Sequence, residues 1–281
     1  MRNNGNGVFK GLAVAAMLAA LPLTGHAATS WTFNYASGCT SGGSTYNNCS
    51  GEDFSRTYSG SDGSNVLIQG VANNGGENGQ GTLQLATVNV WNGIGVQHQG
   101  ETSTSPQHST DNSGRVESVL FDFGAGNSIA LSEVTIGWPN DGSYDTDISV
   151  FAYVPQAGDP AVAAIAAAAN GQSSYVSLGA SYNDLIGQGW IHIGNYNDLN
   201  KDAPEAINAG GVSSRYWLVG AANPVFGGLN GNKDKFKISA VSGTPGTGCN
   251  GDCGSTPIPG TLLLFGIGFV AAGRRYLKTR P

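Results

Sequence analysis

The chain has 281 residues, with 44 glycines, 11 prolines and only 11% charged residues, a bias that argues for a turn-rich β-protein and against a helical enzyme. Hydrophobic residues at 40% and five tryptophans supply a packed core and argue against disorder throughout. Of 13 basic residues, six lie in the two end segments, which leaves seven against all 19 acidic ones, a formal −12, on residues 28–256. That sign excludes nucleic-acid binding and offers oxygen ligands to divalent cations.

Residues 1–27 have the three parts of a secretory signal peptide: Arg2 and Lys10, the apolar run Gly11 to Leu23, and Gly25-His26-Ala27 as a small-x-small cleavage site before Ala28. Pro22, Thr24 and His26 interrupt the run well before the ~20 apolar residues that a membrane-spanning helix needs. In an exported chain Cys39, Cys49, Cys249 and Cys253 are disulfide candidates, and the two local pairs are expected among three possible connectivities. Neither spacing suits a zinc site.

From Trp31 onward, strand-like runs alternate with clusters of Gly, Asn and Ser: 31–35, 66–71, 82–91, 116–123, 132–138, 148–154, 175–178, 189–193, 216–221 and 236–241. In Ser118 to Phe123, Val119, Phe121 and Phe123 share one face, the pattern of a sheet with one side in the core. The expected fold is all-β, a single jelly-roll-like β-sandwich over residues 28–241. One helix is predicted inside it, from an N-cap Asp159 and first-turn Pro160 to a closing Gly171. Residues 242–256 read as a Gly/Thr/Pro linker.

Three segments carry candidate chemistry. His108, Asp111 and Asn112 can be read as a catalytic or metal cluster, although an Asx turn bonding the local backbone is the expected reading, with no nucleophile motif nearby. Asp141, Asp145 and Asp147 alternate oxygen donors around Gly142 as a calcium loop would, and Asn195 to Asp202 is a weaker second stretch. No other cofactor is expected. Trp91, Trp138, Trp190 and Trp217 are expected in the core; an exposed row of them would instead make a sugar-stacking platform.

The tail, residues 257–281, combines Pro257-Ile258-Pro259-Gly260, a short glycine-containing apolar run to Gly273, and the cluster Arg274-Arg275. The run is short for a membrane span, and basic residues directly after it are held on the cytoplasmic side. This architecture resembles the PEP-CTERM sorting signal, with Ile258 standing where that family usually has Glu. The stretch from Trp91 to Val96, Ser105 to Asn112, Val119 to Phe123, Ile136 to Trp138 and Asp145 to Tyr153 also resembles exosortase-dependent surface proteins ending in such a tail. The resemblance implies a secreted β-rich domain, an exosortase-like processing enzyme as partner, membrane contact through the C-terminal helix before processing, and a destination at the cell surface or in extracellular matrix beside exopolysaccharide. The expected function is accordingly a non-enzymatic surface protein. Two other readings stay open, a carbohydrate-binding module of the biofilm matrix and a secreted hydrolase, which would need carboxylates facing each other across a cleft.

Overall fold

The computed structural model of the chain describes residues 27–33, 39–41, 44–46, 52–101, 108–139, 144–227 and 232–246. Its strands are β1 (Thr29–Thr32), β2 (Cys39–Ser41), β3 (Ser44–Tyr46), β4 (Glu52–Asp53), β5 (Ser55–Ser59), β6 (Asn65–Asn73), β7 (Leu83–Val90), β8 (Ile94–Gln97), β9 (Thr110–Asp111), β10 (Glu117–Asp122), β11 (Ile129–Trp138) and β12 (Ile148–Tyr153). Two short helices follow, α1 (Ala164–Ala169) and α2 (Tyr182–Ile186), and then β13 (Trp190–Tyr196), β14 (Pro204–Ala206), β15 (Tyr216–Ala221) and β16 (Lys235–Pro245). The protein is all-β, as expected from its composition. Among the described residues no helix is long and apolar enough to cross a membrane.

The ladders join into one curled antiparallel sheet with the main order β13-β12-β15-β10-β6-β7-β8-β16-β11-β14. Strand β7 turns the corner. Its first half, Leu83 to Ala86, pairs with β6, and its second half, Thr87 to Val90, pairs with β8. The sheet therefore closes over its own inner face, where Ile68, Val119, Phe121, Val150 and Val219 meet Val88, Ile94, Val134, Phe236 and Ile238. Trp31 packs edge-on against Phe123 at 4.8 Å, and Phe33 against Tyr58 at 5.0 Å.

Strands β10, β12 and β15 are buried on both faces, which is why they read as nearly continuous apolar runs. Their outward residues Leu120, Phe151 and Leu218 form a second core with Ile165 and Ala169 of α1 and Tyr182 and Leu185 of α2. Tyr182 secures this cover, with its hydroxyl 2.7 Å from Ser118 Oγ on β10.

Four local readings are corrected. The helix expected from Asp159 begins at Ala164 without a side-chain cap, because the Asp159 carboxylate accepts from Gln156 N at 2.7 Å within its own turn. It ends at Asn170 in extended conformation, one residue before the left-handed Gly171. A second helix, α2, is set by a Ser181–Asp184 capping box, in which each side chain accepts from the other residue's N–H. Residues 175–178 make no strand and meet β7 through isolated bonds, Leu85 N to Val176 O and Leu178 N to Leu83 O. Strand β16 runs on to Pro245, pairing Gly243 with Thr29, so residues read as linker continue the ladder.

Close packing between β10 and β15 depends on Gly220, where an added Cβ would lie 2.4 Å from the Glu117 carbonyl oxygen and 2.0 Å from Ser118 Oγ. We expect Gly220→Ala to destabilise the domain by roughly 1–3 kcal/mol in urea denaturation, the cost of overpacking. Gly210→Ala, where a Cβ would meet nothing within 4 Å, should stay within about 0.5 kcal/mol of the parent.

Candidate functional site

Two groups of acidic side chains gather where the ends of β9, β12, β15 and β16 converge. The first begins with Asp145 and Asp147, which precede β12 two residues apart, and is completed by Asp234, which precedes β16. A parallel bridge aligns Asp145 with Asp234, and Lys235 N donates to Asp145 O at 2.9 Å. Carboxylate oxygens of the three residues all lie within 4.8 Å of one another.

Asp147 and Asp234 are each only 1% exposed, so each carboxylate must find donors inside the protein. Asp234 Oδ1 accepts from Asp147 N at 3.1 Å, and Oδ2 accepts from Ala222 N at 3.1 Å and from Asn112 Nδ2. Asn112 Oδ1 in turn accepts from Asp234 N at 3.0 Å. Asp147 Oδ1 accepts from Asp198 N at 2.7 Å. The shielded Oδ2 of Asp145 has no hydrogen-bond partner. Burial, reinforced by the charges of Asp147 and Asp145, pushes Asp234 up to about 8, and burial likewise raises Asp147. Three hard oxygen donors at this spacing fit a cation of the calcium type, whose ligands lie at about 2.4 Å.

The second group contains His98, Glu101, Asp111 and Glu117. Glu117 is fully buried, yet both oxygens are engaged: Oε1 accepts from His98 N at 3.1 Å and lies 2.8 Å from His98 Nδ1, while Oε2 accepts from Asp111 N at 3.1 Å. Glu101 Oε2 approaches His98 Nδ1 at 3.5 Å. Burial, reinforced by Asp111 and Glu101, raises Glu117 well above the carboxylate range. Burial also raises Glu101 to about 7 and Asp111 to about 6, and lowers His98 to about 4 with help from Arg115. The mixed nitrogen and oxygen donors of His98, Glu101 and Glu117 are close enough to hold a metal ion. An ion there would have to displace the His98–Glu117 bond.

The expected residues are thus redistributed. Asp145 and Asp147 do come together, while Asp141 lies outside the described residues. Their third partner, Asp234, is 87 residues beyond Asp147 and carries no local signal. Of the stretch from Asn195 to Asp202, Asp198 contributes its N–H to Asp147, and Asp202 pairs with Lys201 at 2.5 Å. Asp111 makes the Asx-turn bond expected of it, accepting from Ser113 N at 2.9 Å. Asn112 joins the other group through Asp234, and the imidazole placed on a carboxylate is that of His98. Trp190 and Trp217 are core residues, Trp138 is half-buried and Trp91 is 59% exposed. Cys49, Cys249, Cys253, Pro257, Pro259, Gly260, Arg274 and Arg275 lie outside the described residues, and Cys39 is described only as part of β2. Comparison with family models, curated proteins and solved structures finds no match.

The raised acids and the lowered histidine act on stability with opposite signs. An acid raised by the fold stabilises it fully below its unfolded value, near 4, and that contribution is lost as pH rises through about 6 for Asp111 and about 7 for Glu101. The lowered His98 stabilises above 6.5 and that contribution is lost as pH falls toward about 4. With chelator present, the melting temperature should therefore rise as pH is lowered from 8 toward 5, because the raised acids outnumber the one histidine that begins to oppose them below 6.5. Glu101→Gln, neutral at every pH, should reduce the slope; a slope unchanged in this variant would remove Glu101 from the account.

Proposed function

We propose that this chain is an exported, non-enzymatic surface or extracellular-matrix protein, a jelly-roll-like β-sandwich stabilised by calcium and sorted by an exosortase-type enzyme through a PEP-CTERM-like tail. The observation that carries the non-enzymatic part is the way the acids are used. Glu117 and Asp234, 0% and 1% exposed, spend all four oxygens on backbone N–H groups of other segments, from Asp111, six residues from Glu117, to Asp147, 87 residues from Asp234. Carboxylates committed in this way staple strands together, whereas a hydrolase needs them facing a substrate cleft.

Export is supported by the position of the first strand. Ala27 and Ala28 are exposed and lie outside regular structure, and β1 starts at Thr29, so cleavage between the alanines would leave the β1–β16 ladder whole. Calcium is supported by the Asp145, Asp147 and Asp234 oxygens, with Asp145 Oδ2 shielded and unpartnered. Sorting rests on the order of Pro257, Pro259, Gly260, the short apolar run, and Arg274 with Arg275.

Two measurements test this reading. Calcium bound only by the folded state at a hundred times its Kd stabilises by about 2.7 kcal/mol, a rise of roughly 5–10 °C in melting temperature for a domain of this size. Asp145→Asn should abolish that rise, and an identical melt in chelator and millimolar calcium would end the calcium proposal. For sorting, the intact mass of the surface form should lack residues 274–281, and replacing Arg274 and Arg275 by Ala should leave the protein unprocessed. A surface form that retains Arg274 to Pro281 would make it an ordinary anchored protein.

A further inference from the structure

We infer that His98, Glu101 and Glu117 form a second metal site, one that takes a divalent transition ion of the zinc class and not calcium. The inference goes beyond the calcium reading and stands apart from it, because it concerns other residues and another donor set.

One turn and one strand end build the site. Strand β8 ends at Gln97, and His98-Gln99-Gly100-Glu101 then folds back, with Glu101 N donating to His98 O at 3.2 Å. Gly100 has φ 89, the left-handed sign that a type II turn requires at its third position. The first and fourth residues of such a turn lie less than about 7 Å apart at Cα, so the turn brings His98 and Glu101 together. Glu117, the first residue of β10 and 0% exposed, completes the group from the buried side.

His98 Nδ1 lies 2.8 Å from Glu117 Oε1 and 3.5 Å from Glu101 Oε2. Two ligand atoms bound at the zinc distance of about 2.1 Å stand about 3.0 Å apart at a right angle and about 3.4 Å apart at the tetrahedral angle. The three atoms therefore already have nearly the spacing of ligands on one ion, which would enter in place of the proton between His98 and Glu117. Glu117 is braced for that role. Its Oε1 accepts from His98 N and its Oε2 from Asp111 N, the kind of support that orients a ligating carboxylate, and each oxygen keeps a second lone pair.

Two shielded oxygens at the turn call for a cation. Glu101 Oε2, itself one of the three ligand atoms, has no hydrogen-bond partner among the described residues. Gln97, 7% exposed, donates through Nε2 to Glu101 O at 3.4 Å, and the Oε1 of that same amide is also shielded and without a hydrogen-bond partner. Buried acceptors left without donors are costly, and a cation satisfies an oxygen as a donor would. The side chains of His98 and Glu101 reach the surface, so an ion has a way in.

The donor set selects the ion. Imidazole nitrogen with carboxylate oxygen is a zinc combination, whereas calcium takes about 6–8 oxygens. Two carboxylates and a neutral imidazole also balance the charge of a divalent ion. Nearby cations are occupied elsewhere: Arg115 donates to Gln84 Oε1 at 3.2 Å, and Lys233 pairs with Glu77 at 2.5 Å, while Lys235 lies opposite Asp111. The all-oxygen group of Asp145, Asp147 and Asp234 keeps its preference for calcium, so the two sites divide two kinds of ion between them.

The test uses the purified exported protein saturated with calcium, any free thiols blocked with iodoacetamide, and zinc chloride alone as the probe. Equilibrium dialysis and calorimetry should show one zinc bound per chain at micromolar concentration, and zinc should shift the Nδ1 resonance of His98 in nitrogen NMR spectra. Glu101→Gln, whose side chain reaches the surface, should fold as the parent does and weaken zinc binding by roughly tenfold or more. Asp145→Asn and His192→Gln should bind zinc as the parent does. No zinc bound at roughly a hundred times that concentration, binding unaltered in Glu101→Gln, or binding lost in Asp145→Asn would overturn the inference. The resonance decides independently of any variant: zinc that binds while leaving His98 Nδ1 unmoved sits elsewhere, and the site is wrong.

Discussion

The carboxylate of Asp234 is the constraint on which this end of the molecule depends. It accepts from Asn112, Asp147 and Ala222, partners up to 122 residues away, and so ties the β9–β10 connection, the start of β12 and the end of β15 to the start of β16. A buried anion is costly unless its oxygens are filled by donors, and removing one partner leaves the cost uncovered. The neighbouring carboxylates Asp145 and Asp147 add repulsion that N–H groups alone do not cancel. The site is therefore completed by positive charge, either a proton, as the raised values of Asp234 and Asp147 express, or a divalent cation.

The Glu117 group solves a similar problem with different material. Its three acids surround a histidine whose charged form burial disfavours, and Glu117 holds that histidine through its backbone N–H and its ring. Both groups hang on consecutive residues, Asp111 and Asn112, the first bonded to Glu117 and the second to Asp234. That pair sits in the Asx turn read from the sequence. The turn supplies local rigidity, and the side chains that leave it in two directions supply long-range ties.

How far the sequence could be read follows from the range of each interaction. Strands β6, β10, β12, β15 and β16 were legible because alternation and apolar runs are properties of neighbouring residues. Strand β8 was missed, since the run read from the sequence ends at Trp91, just before the two-residue hairpin signal Asn92-Gly93. The start of α1 was misplaced because Asp159 bonds Gln156, a competition that propensity alone does not resolve. At the site, Asp145 and Asp147 were legible as neighbours, whereas Asp234, Glu117 and His98 are brought in by strand pairing and have no signature of their own.

The tryptophans show the same limit and point to what decides it. Trp217 lies on β15, between neighbours on both sides, and its Nε1 donates to Ile129 O and Ser214 O at 3.1 and 3.2 Å, so it is fully buried and satisfied. Trp91 has the same chemistry but lies one residue past the end of β7, where no second layer covers it. Position relative to the sheet, not residue type, makes one a core residue and leaves the other exposed. Strand β16 connects these outcomes. Its inner residues Phe236 and Ile238 fill the core, Lys237 between them lies buried beneath Trp91, and the residue before the strand is Asp234. Lys235 N is bonded to Asp145 O, so the backbone that presents the first lysine is the same backbone that anchors the acidic site. Charge compensation at Asp234 and the packing beneath Trp91 are thereby held by one stretch of chain.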